Sequence, residues 1–223
     1  MAKLLLDTGP GCLQTLQELT ITYNDIDCLC YTHIHLDHIA ALPWLLFIAK
    51  NAFHLRVKPL YIYGPKGIGS FYQKMLQLYE SQINPTSFDV SVKELAEEAF
   101  SIKDVHISSI PVPHFNQCLA YRIENKNGYS IVYSGDTDYT EALSAFAADS
   151  DLLLLECAMP EGQKVNGHLI PSLAGKIAAE ARAKKLIIIH RYPICNDKEI
   201  CHIIKEIYSG TVVLAYDLMT FEI

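Results

Sequence analysis

The sequence predicts a mixed α/β (α+β) fold in which sheets pack together and helices lie outside them. Half of the 223 residues are hydrophobic and only 19% are charged, which is enough apolar material for a sizeable buried core. Strand patterns are frequent in the first 133 residues, and helices then alternate with strands, as expected of layered sheets and helices. Because no repeat, low-complexity tract or linker divides the chain, we predict a single domain over residues 1–223.

The first part of the chain alternates short strands with helices. Leu4–Leu6 is an apolar run that ends at Asp7, and a segment rich in turn residues follows it. Leucines at helical spacing predict a helix over residues 12–19. The next strand, residues 27–31, runs directly into a group of histidines, and a mostly apolar helix follows over residues 39–50.

The middle of the chain carries one long helix and four strands. Residues 66–80 place their apolar side chains on one helical face. Ser91 and Glu94 have the spacing of a capping box, which predicts the start of a short helix. Asn127-Gly128 marks a hairpin turn. The strands predicted here are residues 60–63, 105–112, 120–124 and 129–133.

Helices and strands alternate regularly in the last third of the chain. Ser172 is positioned to cap the second of these helices. The predicted helices are residues 141–148, 173–184 and 197–208, and the predicted strands are residues 152–155, 186–189 and 212–215.

The composition argues against several kinds of protein. The net charge is −7 and the pI is about 5.7, whereas a broad nucleic-acid-binding surface is normally basic. No run of apolar residues is long enough to span a bilayer and the start does not resemble a signal peptide, so we expect a cytoplasmic protein. The seven cysteines include no CxxC pair, which favours reduced thiols over disulfides in that compartment.

Four potential metal ligands lie within six consecutive residues. They are His33, His35, Asp37 and His38. In an extended segment alternate side chains face the same side, so His33 and His35 would point in the same direction. A turn at Asp37 and His38 would direct these two side chains toward the same space as the first pair. Imidazole and carboxylate are the usual ligands of catalytic zinc and similar divalent ions, and four of them this close favour two metals over one.

Three further candidate ligands come shortly after predicted strands. They are His114, Asp136 and His190. Strand ends on a rigid sheet are where functional side chains are usually placed. Together with the histidine cluster they make seven candidate ligands, which is enough for two metals joined by a bridging carboxylate. Two-metal sites clamp the attacking and leaving oxygens of a displacement reaction.

With these motifs the chain resembles the metallo-β-lactamase superfamily. The resemblance rests on Thr-His-Ile-His-Leu-Asp-His at residues 32–38, on Ser-Gly-Asp-Thr at residues 134–137, and on the two later histidines. It covers essentially the whole chain and implies a four-layer αββα sandwich with a dinuclear metal site at the sheet edges. The segments that are similar to the ribonuclease Z-like branch of the superfamily are residues 5–11, 42–43 and 63–67.

The resemblance also implies a role for each ligand. Asp37 matches the usual general-base candidate of the family, and Asp7 matches a buried aspartate that supports the ligands by hydrogen bonding. The cofactors implied are two divalent ions, zinc or alternatively manganese or iron, between which these ligand types do not discriminate. The ligands implied are His33, His35 and His114 for one metal, Asp37, His38 and His190 for the other, and Asp136 as the bridge.

Further positions match ribonuclease Z-like proteins less closely. His168 matches a Gly-His motif near the scissile phosphate, where it would donate a proton to the leaving group or hold a phosphoryl oxygen. The alternative is a solvent-facing loop histidine. Glu156 matches the glutamate of a His-Glu-Ala-Thr motif and is a candidate catalytic residue, although Leu155 stands in place of the histidine. Arg191 and Tyr192 either line the pocket or have a structural role.

The chain departs from the ribonuclease Z pattern in two places. The tRNA-gripping arm of that family is inserted where this chain has only residues 125–130, and the acidic composition also argues against extended nucleic-acid binding. Asp7 is almost the first residue, so we expect about one amino-terminal hairpin of the family to be absent, either genuinely or because this sequence starts later. The edge of the first sheet would then be open to pairing in a homodimer.

These features predict a dinuclear metal-dependent phosphodiesterase related to ribonuclease Z. Its substrate would be a small phosphorylated or ester-type molecule. Two alternatives keep the chemistry and change the substrate: a tRNA 3′-end processing endoribonuclease, and a hydrolase of esters, lactones or thioesters, since a fold does not determine a function. A third alternative is a non-catalytic metal-binding module, which the complete set of seven ligands disfavours.

Overall fold

The computed structural model describes residues 2–51, 55–115 and 117–222. The chain divides into two compact units, residues 1–96 and residues 97–223, and each unit is built on its own β-sheet. The predicted mixed α/β class is confirmed, whereas the assignment of residues 1–223 to one domain stays a prediction. Among the described residues, the helices lack the length and apolarity that crossing a bilayer requires.

The amino-terminal unit is a fully parallel four-stranded sheet with helical connections, as parallel neighbours require. The strands lie side by side in chain order. They are β1 (Leu4–Leu6), β2 (Cys28–Cys30), β3 (Leu60–Pro65) and β4 (Val90–Leu95). The helices are α1 (Cys12–Glu18), α2 (Leu36–Ile39), α3 (Leu42–Asn51) and α4 (Ile68–Tyr79), followed by a 3-10 turn (Glu80–Gln82).

One face of this sheet forms a core with the helices. Leu29 of β2 is fully buried together with Leu42, Leu45 and Leu46 of α3, which recur at the spacing of one helical face. The helix predicted over residues 39–50 is divided in the structure, because the last turn of the histidine cluster forms the separate helix α2.

The segment that follows the 3-10 turn is strand β4, so the short helix predicted from Ser91 and Glu94 is wrong. Alternate valines of β4 pack against the core, and β-branched residues alternating in this way favour a strand. The carboxylate of Glu94 instead caps the amino-terminal end of α4. Its Oε1 accepts hydrogen bonds from the N–H groups of Gly67 and Gly69, at 2.9 and 3.3 Å, where α4 begins.

The carboxyl-terminal unit is a mixed seven-stranded sheet. Its strands are β5 (Glu98–Ile102), β6 (Val105–Val112), β7 (Cys118–Asn125), β8 (Ser130–Tyr133), β9 (Leu152–Glu156), β10 (Lys185–Ile189) and β11 (Thr211–Leu214). Its helices are α5 (Glu141–Phe146), α6 (Pro171–Ala181) and α7 (Asp197–Ile207). Neighbours from β5 to β8 are antiparallel and those from β8 to β11 are parallel. The strands and helices predicted in this part are confirmed with small shifts at their ends, and β5 is an additional strand. The predicted cap of α6 is wrong, because Ser172 lies inside the first turn and Ile170 precedes the helix.

The parallel strands β8, β9 and β10 place their carboxyl ends at one edge of this sheet. Their interior is apolar, and Leu153 and Ile188 are fully buried in the core formed with the helices. Polar residues occur where the strands end. Asp136, Glu156 and His190 therefore come to the same edge of the sheet.

Arg56 is a buried anchor of the amino-terminal unit, with only 1% of its surface exposed. A guanidinium group has five N–H donors in a planar fork, so one side chain can bind several carbonyl groups at once. It connects the loop before β2 to the segment before β3. The carbonyl oxygens that accept its hydrogen bonds, at 2.5 to 2.9 Å, belong to Tyr23, Ile26, Lys58 and Pro59.

Replacing Arg56 with methionine should lower the free energy of unfolding by about 3–5 kcal/mol, because four carbonyl groups lose their donor. Urea unfolding followed by circular dichroism measures this change. Arg182 pairs with Asp149 at the surface and is the matched control, so Arg182→Met should leave the unfolding midpoint nearly unchanged. An Arg56→Met protein as stable as the original would contradict the anchoring role.

Candidate metal centre

The amino-terminal unit brings together the four residues of the histidine cluster. The backbone of His35 is extended (φ −67°, ψ 150°), and α2 begins at the next residue. The ring of His33 lies 4.5 Å from the ring of His35 and 4.1 Å from that of His38. Oδ2 of Asp37 lies 3.5 Å from Nε2 of His38. The predicted change from strand to turn within the cluster is confirmed, and it places the three imidazoles in contact.

The segment after β1 packs directly against α2. The N–H of Thr8 donates to the carbonyl oxygen of His38 at 2.6 Å, and the N–H of Ala41 donates to the carbonyl oxygen of Thr8 at 2.9 Å. A Cβ atom on Gly9 would lie 2.1 Å from the carbonyl oxygen of Asp37, so this position admits only glycine. The turn residues that follow Asp7 in the sequence thus allow the backbone to approach the ligand helix.

Asp7 supports the cluster through three hydrogen bonds. Its Oδ1 accepts from the N–H of Thr32, and its Oδ2 accepts from the hydroxyl of Thr32, both at 2.8 Å. Oδ2 also lies 2.8 Å from Nδ1 of His38. Because a carboxylate only accepts hydrogen bonds, Nδ1 of His38 carries the hydrogen, and Nε2 is the atom that keeps a lone pair.

The hydroxyl group of Thr32 determines the tautomer of His33. The single hydroxyl hydrogen of Thr32 is given to Asp7, so its oxygen accepts from Nδ1 of His33, which lies 2.9 Å away. His33 therefore also keeps its lone pair on Nε2. Histidines that ligate metals usually donate their other ring N–H to an oxygen in this way, so both residues fit a metal.

The carboxyl-terminal unit brings together the other three predicted ligands. Nδ1 of His114 donates to the carbonyl oxygen of Gly167 at 2.7 Å, so the lone pair of this imidazole is on Nε2. Oδ2 of Asp136 lies 3.8 Å from Nε2 of His114 and 3.4 Å from Nε2 of His190. These distances are too long for hydrogen bonds, whereas two ligands of one tetrahedral zinc lie about 3.3 Å apart. One carboxylate oxygen thus lies beside two imidazoles.

Glu156 is fully buried, and its carboxylate is surrounded by hydrogen-bond donors. Nδ1 of His168 donates to Oε1 at 2.9 Å. This hydrogen bond to Glu156 raises the pKa of His168 and directs the Nε2 edge of the ring away from the carboxylate. Leu155 precedes Glu156 in the sequence, and the imidazole that contacts this carboxylate belongs to His168. The backbone N–H groups that also donate to Glu156 belong to Thr137, Ala158 and Leu169.

Asp138 holds the loop that carries His168, although the sequence did not single it out. Its Oδ2 accepts from Nζ of Lys164 at 2.7 Å and from the N–H of Gly167 at 2.9 Å. Burial alone would raise the pKa of Asp138, but these hydrogen bonds outweigh it and lower the pKa. Gly167 has a φ of 87°, and a Cβ there would lie 3.1 Å from Nδ1 of His114, so glycine allows the contact.

Arg191 and Tyr192, for which the sequence left a pocket-lining and a structural role open, have different roles. Arg191 donates to the carbonyl oxygen of Ala215 at 2.6 Å and pairs with Asp197 at the start of α7, so it has a structural role. The ring of Tyr192 instead lies beside the imidazoles, 5.8 Å from that of His168 and 5.5 Å from that of His190. His168 is itself in contact with His114, at a ring separation of 4.8 Å, and so lies among the predicted ligands.

Comparison with known proteins gives the same family as the motifs. Residues 2–191 match the beta-lactamase superfamily domain. Ribonuclease Z of Clostridium acetobutylicum is 26% identical over an alignment that covers 94% of this chain and 85% of that protein. The alignment runs over 265 positions although this chain has 223 residues, so that protein carries additional residues within the matched region.

Two solved structures share the fold over nearly the whole chain. The metallo-β-lactamase fold protein YhfI from Bacillus subtilis superposes with a TM-score of 0.83 at 25% identity, covering 96% of this chain and 84% of that one. The short form of human tRNase Z superposes with a TM-score of 0.77 at 22% identity, covering 97% and 86%. The chain therefore belongs to the metallo-β-lactamase superfamily, in its ribonuclease Z-like branch of hydrolases.

Proposed function

We propose that this protein is a dinuclear metal-dependent phosphodiesterase. The observation that carries the proposal is the tautomer arrangement, in which Nδ1 of His33, His38 and His114 each donates to an oxygen and leaves Nε2 for a metal. When bound, two divalent ions would polarise the phosphoryl group and lower the pKa of the attacking water. The proposed ligands are His33, His35 and His114 for one ion, Asp37, His38 and His190 for the other, and Asp136 between them.

Asp37 is the residue that we propose as general base. Its side chain is 58% exposed, in contrast to the buried His38 beside it, so its carboxylate can reach a water molecule and accept a proton. It also lies in the first turn of α2, where the free N–H groups of a helix favour a negative charge. Zinc is the metal that we propose, with manganese and iron as the alternatives, because five of the seven proposed ligands are imidazoles, which disfavours magnesium and calcium.

His168 is the residue that we propose for the leaving group. Glu156 binds its Nδ1, so the Nε2 edge is the one that can donate to the leaving oxygen or hold a phosphoryl oxygen. Glu156 itself has hydrogen bonds at both oxygens and no exposed surface, so we now assign it a positioning role through His168. A direct catalytic role for Glu156 would require those bonds to break.

The substrate that we propose is a small phosphodiester. The turn between β7 and β8 is a tight hairpin in which the N–H of Gly128 donates to the carbonyl oxygen of Asn125, and this short connection supports a protein without a tRNA-gripping arm there. The additional residues that the Clostridium protein carries within the matched region also support this proposal. A net charge of −7 also disfavours a long polyanionic substrate. The cytoplasmic location and the homodimer stay predictions.

The direct test of this function is an Asp37→Ala variant. It should hydrolyse bis(p-nitrophenyl) phosphate with a kcat at least about 100-fold below that of the zinc-loaded protein, because a general base and a ligand are both lost. Asp89→Ala changes another exposed carboxylate of the same unit and should leave kcat unchanged. Wild-type protein that cleaves a lactone or tRNA but no small phosphodiester would instead favour the corresponding alternative hydrolase, and equal rates for Asp37→Ala and wild type would refute the assignment.

Thr32 provides a test that does not depend on turnover. Thr32→Val removes the hydroxyl that accepts from His33 and donates to Asp7, so zinc affinity should fall by about 10- to 100-fold. Thr32→Ser keeps the hydroxyl and should retain most of the affinity. Competition with a chromophoric chelator measures both variants. If the valine and serine variants bind zinc equally, the hydroxyl does not select the tautomer of His33.

A further inference from the structure

We infer that the ring of Tyr192 is the surface on which a planar aromatic part of the substrate stacks, so that this residue determines specificity. The inference rests on the proposed phosphodiesterase function. It concerns a substituent of the phosphate, whereas the ligands and His168 act on the phosphate itself. The substrate class that it predicts is a nucleotide or aryl phosphodiester, in preference to an alkyl one.

Exposure to solvent increases across three rings at the edge of the carboxyl-terminal sheet, from His168 through His190 to Tyr192. The side chains of His168 and His190 are 12% and 19% exposed, and their rings stack at 5.8 Å with an angle of 9°. Tyr192 is 42% exposed, and its ring is inclined by 58° and 52° to these two imidazoles. The tyrosine ring is therefore the outermost of the three, next to the residue proposed to contact the leaving group.

The backbone holds Tyr192 in place from both sides. Its N–H donates to the carbonyl oxygen of Ala158 at 3.4 Å, and its own carbonyl oxygen accepts from the N–H of Cys195 at 2.9 Å. The preceding Arg191 is bound to Ala215 and Asp197. A ring on a fixed backbone loses little conformational entropy when a ligand stacks on it, which favours binding.

The charges around Tyr192 also favour a neutral, flat partner. Arg191 is paired with Asp197, and Lys164 on the neighbouring loop is paired with Asp138, so these cations already have carboxylate partners. A second phosphate or acidic substituent would have to compete for them. Stacking of a base on an aromatic side chain has no such requirement, and it is tolerant of which base is present because every base has a π face.

Two product-like competitors that differ only in the base test this inference. Adenosine 5′-monophosphate and ribose 5-phosphate share the phosphate and the sugar, and calorimetry on the zinc-loaded protein gives both affinities without any turnover. Tyr192→Leu should weaken binding of adenosine monophosphate by about tenfold and leave ribose 5-phosphate unchanged. Tyr192→Phe keeps the ring and should bind both as the wild type does.

The control variant is Tyr129→Leu, which removes a tyrosine of similar exposure (44%) at the β7–β8 hairpin and should change neither affinity. Equal binding of the two competitors by wild type, or an equal loss of both in Tyr192→Leu, would overturn the inference. Either result leaves the phosphodiesterase assignment intact if bis(p-nitrophenyl) phosphate is still hydrolysed. Absence of hydrolysis of every phosphodiester by the wild type overturns the proposed function instead.

Discussion

The arrangement of the histidine cluster depends on the hydrogen bonds that the carboxylate of Asp7 accepts. Asp7 follows β1 directly and accepts hydrogen bonds from Thr32 and His38, which follow the neighbouring strand β2. A buried carboxylate is unfavourable unless its oxygens are hydrogen-bonded, and here each oxygen has a donor. The same bonds select the tautomer of His38 directly and of His33 through Thr32. Pairing of β1 with β2 therefore also prepares two imidazoles for a metal.

The carboxyl-terminal unit uses buried carboxylates in the same way. Glu156 ties the ends of β8 and β9 to the loop that carries His168, and Asp138 ties that loop back through Gly167. Gly167 in turn accepts from His114. In each unit, imidazoles that we propose to contact a metal or substrate are thus oriented by acidic residues outside the proposed ligand set. This arrangement fixes imidazole orientation at strand ends, where loops would otherwise move.

The sequence predicted those parts of the site that depend on local pattern. The histidine cluster and the positions of Asp136 and His190 after strands were evident, because ligand types and strand periodicity are local signals. Hydrogen-bond partners that are distant in the sequence were not evident. Glu94 had the spacing of a capping box but caps the distant helix α4, and Glu156 lacked its motif neighbour yet binds His168, twelve residues away. Such pairings are set by tertiary structure, which single-sequence patterns do not contain.

We propose above all that the histidines hold two metals through Nε2. A crystal structure of the zinc-loaded protein, with anomalous difference maps recorded on both sides of the zinc edge, tests it most directly. We expect two anomalous peaks, with Nε2 of His33 on one ion, Nε2 of His38 on the other, and the Nδ1 contacts to Thr32 and Asp7 retained. A single peak, or ligation through Nδ1 of either histidine, would contradict the account.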